Sequence, residues 1–371
     1  MSDPVLVAIS GGLHSAVTAA ILKAQGMRPQ GVHFRLCGQQ APQSPVFDAR
    51  CCQASSAEQA REVCAKLDIP LQVVHLEDRF QDKVVDYFIH EVIQARLPNA
   101  CVPCNQEIRF EALFAKAREM KIERVATGHR AQVIQDAPLG GKAGLARLLK
   151  ATVEGRDQSY YLFGLNQEQL RRLMLPLGGF QDSMISRLAG EFDLPPASAG
   201  DPQEPCFSKP SQYRSFVEAR VAPSLRPPGP IKSVLGTVVG DHEGLFAYQL
   251  GQEPKLAPAV KDKLQVVGFD IVNQALLVGT AKETLHSEVR ASRVTWQRPV
   301  DGLRILKCTA KYSSWQRGEV KCRVTPFENG TVHIAFEEAQ AKLMAGQAVV
   351  FYEGEEVLGG AWIDFVGAPP S

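Results

Sequence analysis

Apolar runs and amphipathic stretches alternate through the first two hundred residues. Runs at 5–9, 31–36, 71–75 and 124–126 read as strands, and the stretches at 15–25, 57–67, 81–95 and 107–119 between them read as helices. Ser55 with Glu58 three residues on is a capping box that marks one helix start. Strand and helix in alternation predict an α/β fold, a doubly wound parallel sheet with helices on both faces. In such sheets ligands bind beyond the carboxyl ends of the strands. The segments 10–15 and 127–129 both follow strands and are expected to line one ligand crevice.

Two more helices, near 167–174 and 182–192, lead into a proline-rich segment. Pro195, Pro196, Pro202 and Pro205 surround Cys206, and Pro227, Pro228 and Pro230 follow, a density that marks loops and boundaries. Beyond Pro230 short strands such as 264–267 and 275–278 take over. Three units are therefore expected: an α/β domain over 1–200, a small central β domain over 201–286 and a C-terminal β-barrel over 287–371. Both β domains read as small barrels.

The bulk numbers narrow the class. A chain of 371 residues, 45% hydrophobic, has material for two or three cores. No apolar run approaches a membrane span and no signal-peptide pattern precedes the first strand, so a cytoplasmic address without a membrane partner is expected. Nine cysteines in such a chain are expected to be reduced, and to be buried, catalytic or metal-binding. A net charge of +1 gives no bulk sign of nucleic acid. Locally, Arg304, Lys307, Lys311, Arg317, Lys321 and Arg323 crowd around Tyr312 and Trp315, which fits either RNA phosphates and bases or the solvated face of barrel strands.

The chemistry begins at Ser10-Gly11-Gly12-Leu13-His14-Ser15. Paired glycines between a strand and a helix let consecutive N–H groups converge on an anion at the helix start. There is no Gly-Lys-Ser/Thr, so the loop is not a Walker A site. Cys101 and Cys104 stand in Cys-x-x-Cys spacing, with Cys104 expected in a Pro-containing turn before a helix starting near Glu107. That position can lower a thiol pKa. Cys37, Cys64, Cys308 and Cys322 read as small core or spectator residues, and the adjacent Cys51 and Cys52 as structural.

Ser-Gly-Gly-x-x-Ser resembles the pyrophosphate loop of ATP pyrophosphatases. Further along, Asn99-Ala100-Cys101-Val102-Pro103-Cys104-Asn105-Gln106-Glu107-Ile108-Arg109-Phe110, Ala126-Thr127-Gly128-His129, Arg156-Asp157-Gln158-Ser159-Tyr160-Tyr161-Leu162 and Pro176-Leu177-Gly178-Gly179 resemble, in order, the motifs of bacterial tRNA 2-thiouridylases. Pro205-Cys206-Phe207 and the closing stretches at 345–352 and 357–360 continue the match. The resemblance implies an ATP-dependent sulfurtransferase acting on tRNA. ATP with Mg2+ would adenylate O2 of the wobble uridine, and sulfur would then displace AMP. Ala8, Ser10, Gly11, Gly12, Leu13, His14, Ser15, Phe34, Gly128 and His129 would bind ATP. Cys104 would act as nucleophile and Cys206 would carry the persulfide. Arg156, Asp157, Gln158, Lys311 and Tyr312 would face tRNA, and a persulfide-carrying protein would donate sulfur.

Cys101 leaves three readings open: a ligand, with Cys104 and Cys206, of a 4Fe-4S iron-sulfur cluster; a redox disulfide with Cys104; or a spectator. The chain also departs from the family pattern. His14 replaces an aspartate expected to help hold magnesium, Glu204-Pro205 replaces Gly-Ile before Cys206, and Gly251-Gln252-Glu253-Pro254-Lys255 replaces a more basic run. These departures describe a diverged member. Two rivals follow: a paralogue that binds tRNA or nucleotide without thiolation, and an enzyme that moves or removes sulfur on another substrate.

Overall fold

Parallel strands with no polar face need helices on both sides, and the chain supplies them. A computed structural model describes residues 3–37, 55–137, 144–195, 210–260, 262–300, 304–314, 316 and 318–367. In the first domain β1 (Pro4–Ala8), β2 (Arg28–Arg35), β3 (Leu71–His75), β4 (Arg124–Ala126) and β7 (Leu173–Met174) form a parallel sheet in the order β3-β2-β1-β4-β7. Val5, Val7 and Ile9 bury one face against α1 (Leu13–Ala24), α2 (Ser55–Lys66) and α6 (Asp182–Glu191). Leu6 points to the other face, with Phe110, Leu113 and Phe114 of a long helix. Strand order reverses at β1, which is flanked by β2 and β4. The crevice between the ends of β1 and β4 is therefore the topological switch point where such sheets bind ligands.

The helices start earlier than the pattern implied. α1 begins at Leu13, which places His14 and Ser15 in its first turn. The stretch read as 81–95 is the helix α3, 77–93. The one read from Glu107 is α4, 101–119, so Cys104 lies within a helix and not in a turn ahead of it. The cause is Asn99, whose Oδ1 accepts from the N–H groups of Cys101 (3.2 Å) and Val102 (3.4 Å). That cap lets the helix form two turns upstream, and Pro103 in the first turn loses no hydrogen bond. The helix widens to π geometry over Cys104–Phe110, as does α3 over Gln81–Asp86. The stretch 167–174 divides into α5 (Gln167–Arg172) and strand β7.

The β region differs more. After α7 (Pro210–Glu218), the strands β8 (Gly229–Ser233), β9 (Val238–His242), β10 (Gln265–Asp270) and β11 (Ala275–Gly279) form a four-stranded sheet in the order β10-β11-β8-β9. Among the described residues its edge strands do not pair with each other directly, but the segment 251–257 spans them: Gly251 N donates to Val266 O, Val266 N to Gln252 O and Ala257 N to Val239 O, each at 2.8 Å. The connection between β9 and β10 thus bridges the two edges of the sheet. The central domain folds around a small core of Ile231, Val266, Leu276 and Val278.

The C-terminal domain closes by direct strand pairing. β12 (Leu285–Trp296), β13 (Leu306–Lys311), β14 (Val320–Pro326), β15 (Val332–Ala341), β16 (Ala348–Glu353) and β17 (Glu356–Val366) run in the order β12-β15-β14-β13-β16-β17, and β12 pairs again with β17. A hairpin from the first domain, β5 (Ala131–Gln135) and β6 (Ala146–Lys150), joins this sheet at β17.

This docking makes one body of the ends of the chain. Tyr160, Phe163, Tyr352 and Trp362 share a core with Leu6 and Val125. Tyr160 Oη donates to the Ala348 carbonyl at 2.8 Å, and Gln297 Nε2 donates to Leu165 O at 2.8 Å. Gly360 lies so close to Phe163 that a Cβ there would stand 2.6 Å from the ring. Gly360→Ala should therefore lower stability by about 1–3 kcal/mol, the usual cost of overpacking. Differential scanning calorimetry is the check, and an unchanged unfolding temperature would show that this contact carries no packing.

Candidate active site

The first loop is organised by its own hydroxyls. Ser10 N–H and Ser10 Oγ both lie 3.1 Å from Ser15 Oγ, Ser15 Oγ donates to Gly12 O at 2.9 Å, and Gly12 N–H reaches Ser10 Oγ at 3.3 Å. Gly11 has φ +83°, and a Cβ there would meet Ser56 O at 2.6 Å, so glycine is required twice over. No side chain caps the start of α1. A helix start without a side-chain cap can take an anionic ligand, helped by the helix dipole.

The second loop packs on the first. A Cβ at Gly128 would stand 2.8 Å from His14 C and from Ser15 N, so glycine lets the end of β4 lie against the first turn of α1. Together they wall a cleft lined also by Ala8, Ile9, His33, Phe34, Arg109, Phe110, Thr127, His129 and Gln158. Of the residues expected at ATP, Ala8, Ser10, His14, Ser15, Phe34, Gly128 and His129 face this cleft, whereas Leu13, the first residue of α1, packs against the core. Gly11 and Gly12 belong to the same loop but do not line the cleft.

His129 ties the cleft to the cysteine helix. Its Nδ1 lies 2.9 Å from Thr127 Oγ1 and its Nε2 3.2 Å from Asn105 Oδ1, and its ring stacks on Phe110 with centroids 5.5 Å apart. Asn105 Nδ2 donates to the Cys101 carbonyl at 2.9 Å. That bond leaves Asn105 Oδ1 as the acceptor, so His129 Nε2 carries the proton and Nδ1 accepts from Thr127. Burial first, then the charges of Arg109 and His14, depress the His129 pKa to about 3, so the ring is neutral. Cys104 is buried at 7% exposure, and Cys101 is half-buried one turn before it.

Asn99, Asn105 and Arg109 are the residues that reading by chemistry missed. They sit inside the cysteine motif, but an asparagine reads as polar filler until its hydrogen-bond partners are known. His33 is another: it is buried in β2 with Nδ1 2.8 Å from Ile9 O, and its pKa is lowered mainly by burial.

The residues expected to face tRNA have internal partners. Asp157, its side chain 3% exposed, accepts from Ala151 N (3.0 Å), Ser159 N (3.1 Å) and Ser159 Oγ (2.9 Å). Lys311 Nζ approaches Asp157 Oδ2 at 3.8 Å, so these two meet each other. Gln158 Oε1 accepts from Arg130 N at 2.8 Å, and Arg156 pairs with Asp182 at 2.7 Å. Tyr312 Oη donates to Gln340 Oε1 at 3.2 Å, and its ring borders a second cavity of about 400 Å³ that also includes Asn99, Ala100, Tyr160, Ser313 and Gln347. Cys206, Cys51, Cys52, Trp315 and Arg317 lie outside the described residues.

Neither proposed metal finds a complete donor set. No carboxylate lines the nucleotide cleft among the described residues, and the imidazole of His14 stands at the loop where an acid would hold magnesium. No group of three His, Cys, Asp or Glu able to hold a metal occurs among the described residues. Cys101 and Cys104 supply two thiols of a set whose third member, Cys206, is not described.

The neutral, half-buried His129 has a consequence for acid stability. An unfolded histidine titrates near 6.5, so between that value and about 3 the unfolded chain binds a proton the folded chain does not. Its contribution is complete above pH 6.5 and is lost as pH falls toward 3. Between pH 7 and 5 the wild type should lose about 2 kcal/mol more than His129→Gln, as read from urea unfolding at the two pH values. Equal losses would mean that the ring is not held neutral.

Comparison with known proteins agrees with this architecture. The tRNA methyl transferase HUP domain family matches residues 3–210, and the Aminomethyltransferase beta-barrel domain family matches residues 286–363. A protein of Geobacter metallireducens named tRNA-specific 2-thiouridylase MnmA is 39% identical over 97% of this chain and 96% of its own. Proteins of the same name from Geotalea uraniireducens and Roseiflexus castenholzii are 36% and 35% identical, over 97% of this chain and 94% and 98% of theirs. No helix among the described residues is long and apolar enough to cross a membrane. Similarity of this degree along nearly the whole chain, over a sheet with its glycine loop and a closing barrel, means that the chain belongs to the tRNA-specific 2-thiouridylase family.

Proposed function

We propose that the protein uses ATP to activate the carbonyl at C2 of a tRNA wobble uridine and replaces its oxygen with sulfur. The observation that carries this reading is the position of one short segment between two cavities. Asn99 and Ala100 border the second cavity, while Arg109 and Phe110 border the nucleotide cleft. Cys101 and Cys104 lie between them in sequence, on the turns that join the two. A nucleotide in one cavity and a base in the other would bring the α-phosphate and the uridine together beside the cysteines.

A carbonyl oxygen is a poor leaving group, and transfer of AMP to it supplies a good one. O2 attacks the α-phosphorus and pyrophosphate leaves, held until then by the Ser10–Ser15 loop. The terminal sulfur of a Cys206 persulfide then attacks C2 and AMP departs. The Cys104 thiolate attacks the Cys206 sulfur, leaving the transferred sulfur on the base and a Cys104–Cys206 disulfide that a reductant must reopen. Arg109 is the cation that faces the phosphates in the cleft. His129, neutral and hydrogen-bonded on both nitrogens, positions α4 and takes no proton. A persulfide-carrying donor protein would recharge Cys206.

A cluster held by Cys101, Cys104 and Cys206 is the competing sulfur source, and iron content separates the two. That no carboxylate lines the cleft among the described residues favours, as a second reading, nucleotide binding without thiolation. One experiment decides among these: the purified protein is given unmodified tRNA, ATP, Mg2+ and a persulfide donor, and the tRNA nucleosides are analysed by mass spectrometry. The expected result is 2-thiouridine from the wild type, with no iron required, and at least a hundredfold less from Cys104→Ser with ATP binding retained. ATP binding without 2-thiouridine would establish the binding-only reading, and activity that follows about four irons per chain would establish the cluster.

A further inference from the structure

Two cysteines far from the nucleotide cleft face each other inside the barrel. Cys308 on β13 and Cys322 on β14 are directly paired in the antiparallel register, and their Sγ atoms are 3.6 Å apart. Directly opposed residues of antiparallel strands have Cα atoms about 4.5–5.5 Å apart. That lies within the span of roughly 4.4–6.8 Å that a disulfide bridges. Both thiols are reduced. Cys322 is buried at 2% exposure, and its hydrogen bond with Cys308, then burial, hold its thiol protonated well above the ordinary range. Cys308 is half-buried, so it is the sulfur that a small reagent reaches.

We propose that Cys308 and Cys322 form a peroxide-oxidisable thiol pair whose disulfide locks the β13–β14 hairpin at the mouth of the second cavity. The step balances with hydrogen peroxide as oxidant. The Cys308 sulfur attacks one peroxide oxygen, the O–O bond breaks, and water leaves with the thiol proton, giving a sulfenic acid. The Cys322 sulfur then displaces the hydroxyl from Cys308; the S–S bond forms and a second water carries away the Cys322 proton. The two thiols together lose two electrons and the peroxide gains them.

The link to RNA comes from the residues that follow β13. Tyr312, Ser313 and Ser314 border the second cavity, and Tyr312 is held to β15 through Gln340. A covalent tie between β13 and β14, four residues before Tyr312, restricts the hairpin that presents these three side chains. This half of the proposal rests on the reading of the second cavity as an RNA site; the disulfide itself does not.

The test treats the full-length protein with hydrogen peroxide, blocks remaining thiols, and maps disulfides by mass spectrometry of non-reduced peptides. Wild type and Cys308→Ser are compared, with Cys308→Ala as the second variant in case serine disturbs the strand. The expected result is a mapped Cys308–Cys322 bond in most wild-type molecules. Their melting temperature should exceed that of equally treated Cys308→Ser by at least about 2 °C, since the cross-link constrains the unfolded chain. Affinity for an unmodified tRNA transcript should shift at least threefold on oxidation in wild type and not in Cys308→Ser, which cancels effects of the other cysteines. Peroxide that oxidises other cysteines but yields no Cys308–Cys322 peptide overturns the proposal. A mapped bond with unchanged tRNA affinity overturns the locking of the cavity, while a mapped bond in a protein that never binds tRNA refutes the proposed function and leaves the thiol pair standing.

Discussion

One buried amide holds the site together. Asn105 must satisfy both ends of its side chain, and it does so by donating to the Cys101 carbonyl and accepting from His129. Each bond fixes something else. The first orients the opening turn of the cysteine helix; the second sets the His129 tautomer, which in turn receives the Thr127 hydroxyl. A half-satisfied network of this kind would be costly in a low-dielectric interior, so the three segments move as one or not at all.

Close approach does the remaining positioning. Gly128 allows the β4 end to touch the first turn of α1, and Gly11 lets the preceding loop pass under Ser56. The cleft between is lined by Arg109 and imidazoles and by no described carboxylate. Such a lining favours an anionic ligand and leaves metal coordination to the ligand's own phosphates. The barrel docks on the same domain through Tyr160, Gln297 and the β5–β6 hairpin, so the second cavity has walls from all three units.

What was legible in the sequence follows from period and local chemistry. Fully apolar strands such as 5–9 and the glycine pair after them are local signals, and both stand where the pattern put them. The start of α4 was hidden because its cap, Asn99, lies outside the apolar periodicity and Pro103 reads as a breaker. The β5–β6 hairpin was invisible because its partner, β17, lies some two hundred residues away, and short-range pattern carries no such pairing. In the central domain alternation predicts the strands, whereas the irregular segment 251–257 that bridges their edges has no period to announce it. Asp157 and Lys311 look like surface charges in sequence, and the fold turns them toward each other.

The coupling of nucleotide loop to cysteine helix through Asn105 is tested by the reactivity of Cys104. The measurement is the rate at which iodoacetamide alkylates Cys104, with and without saturating ATP, in the wild type and in Asn105→Ala. Coupling through the Asn105 amide predicts at least a threefold change in rate on adding ATP to the wild type, and less than half of that change in the variant. Equal responses in both proteins, with ATP binding intact, would contradict it.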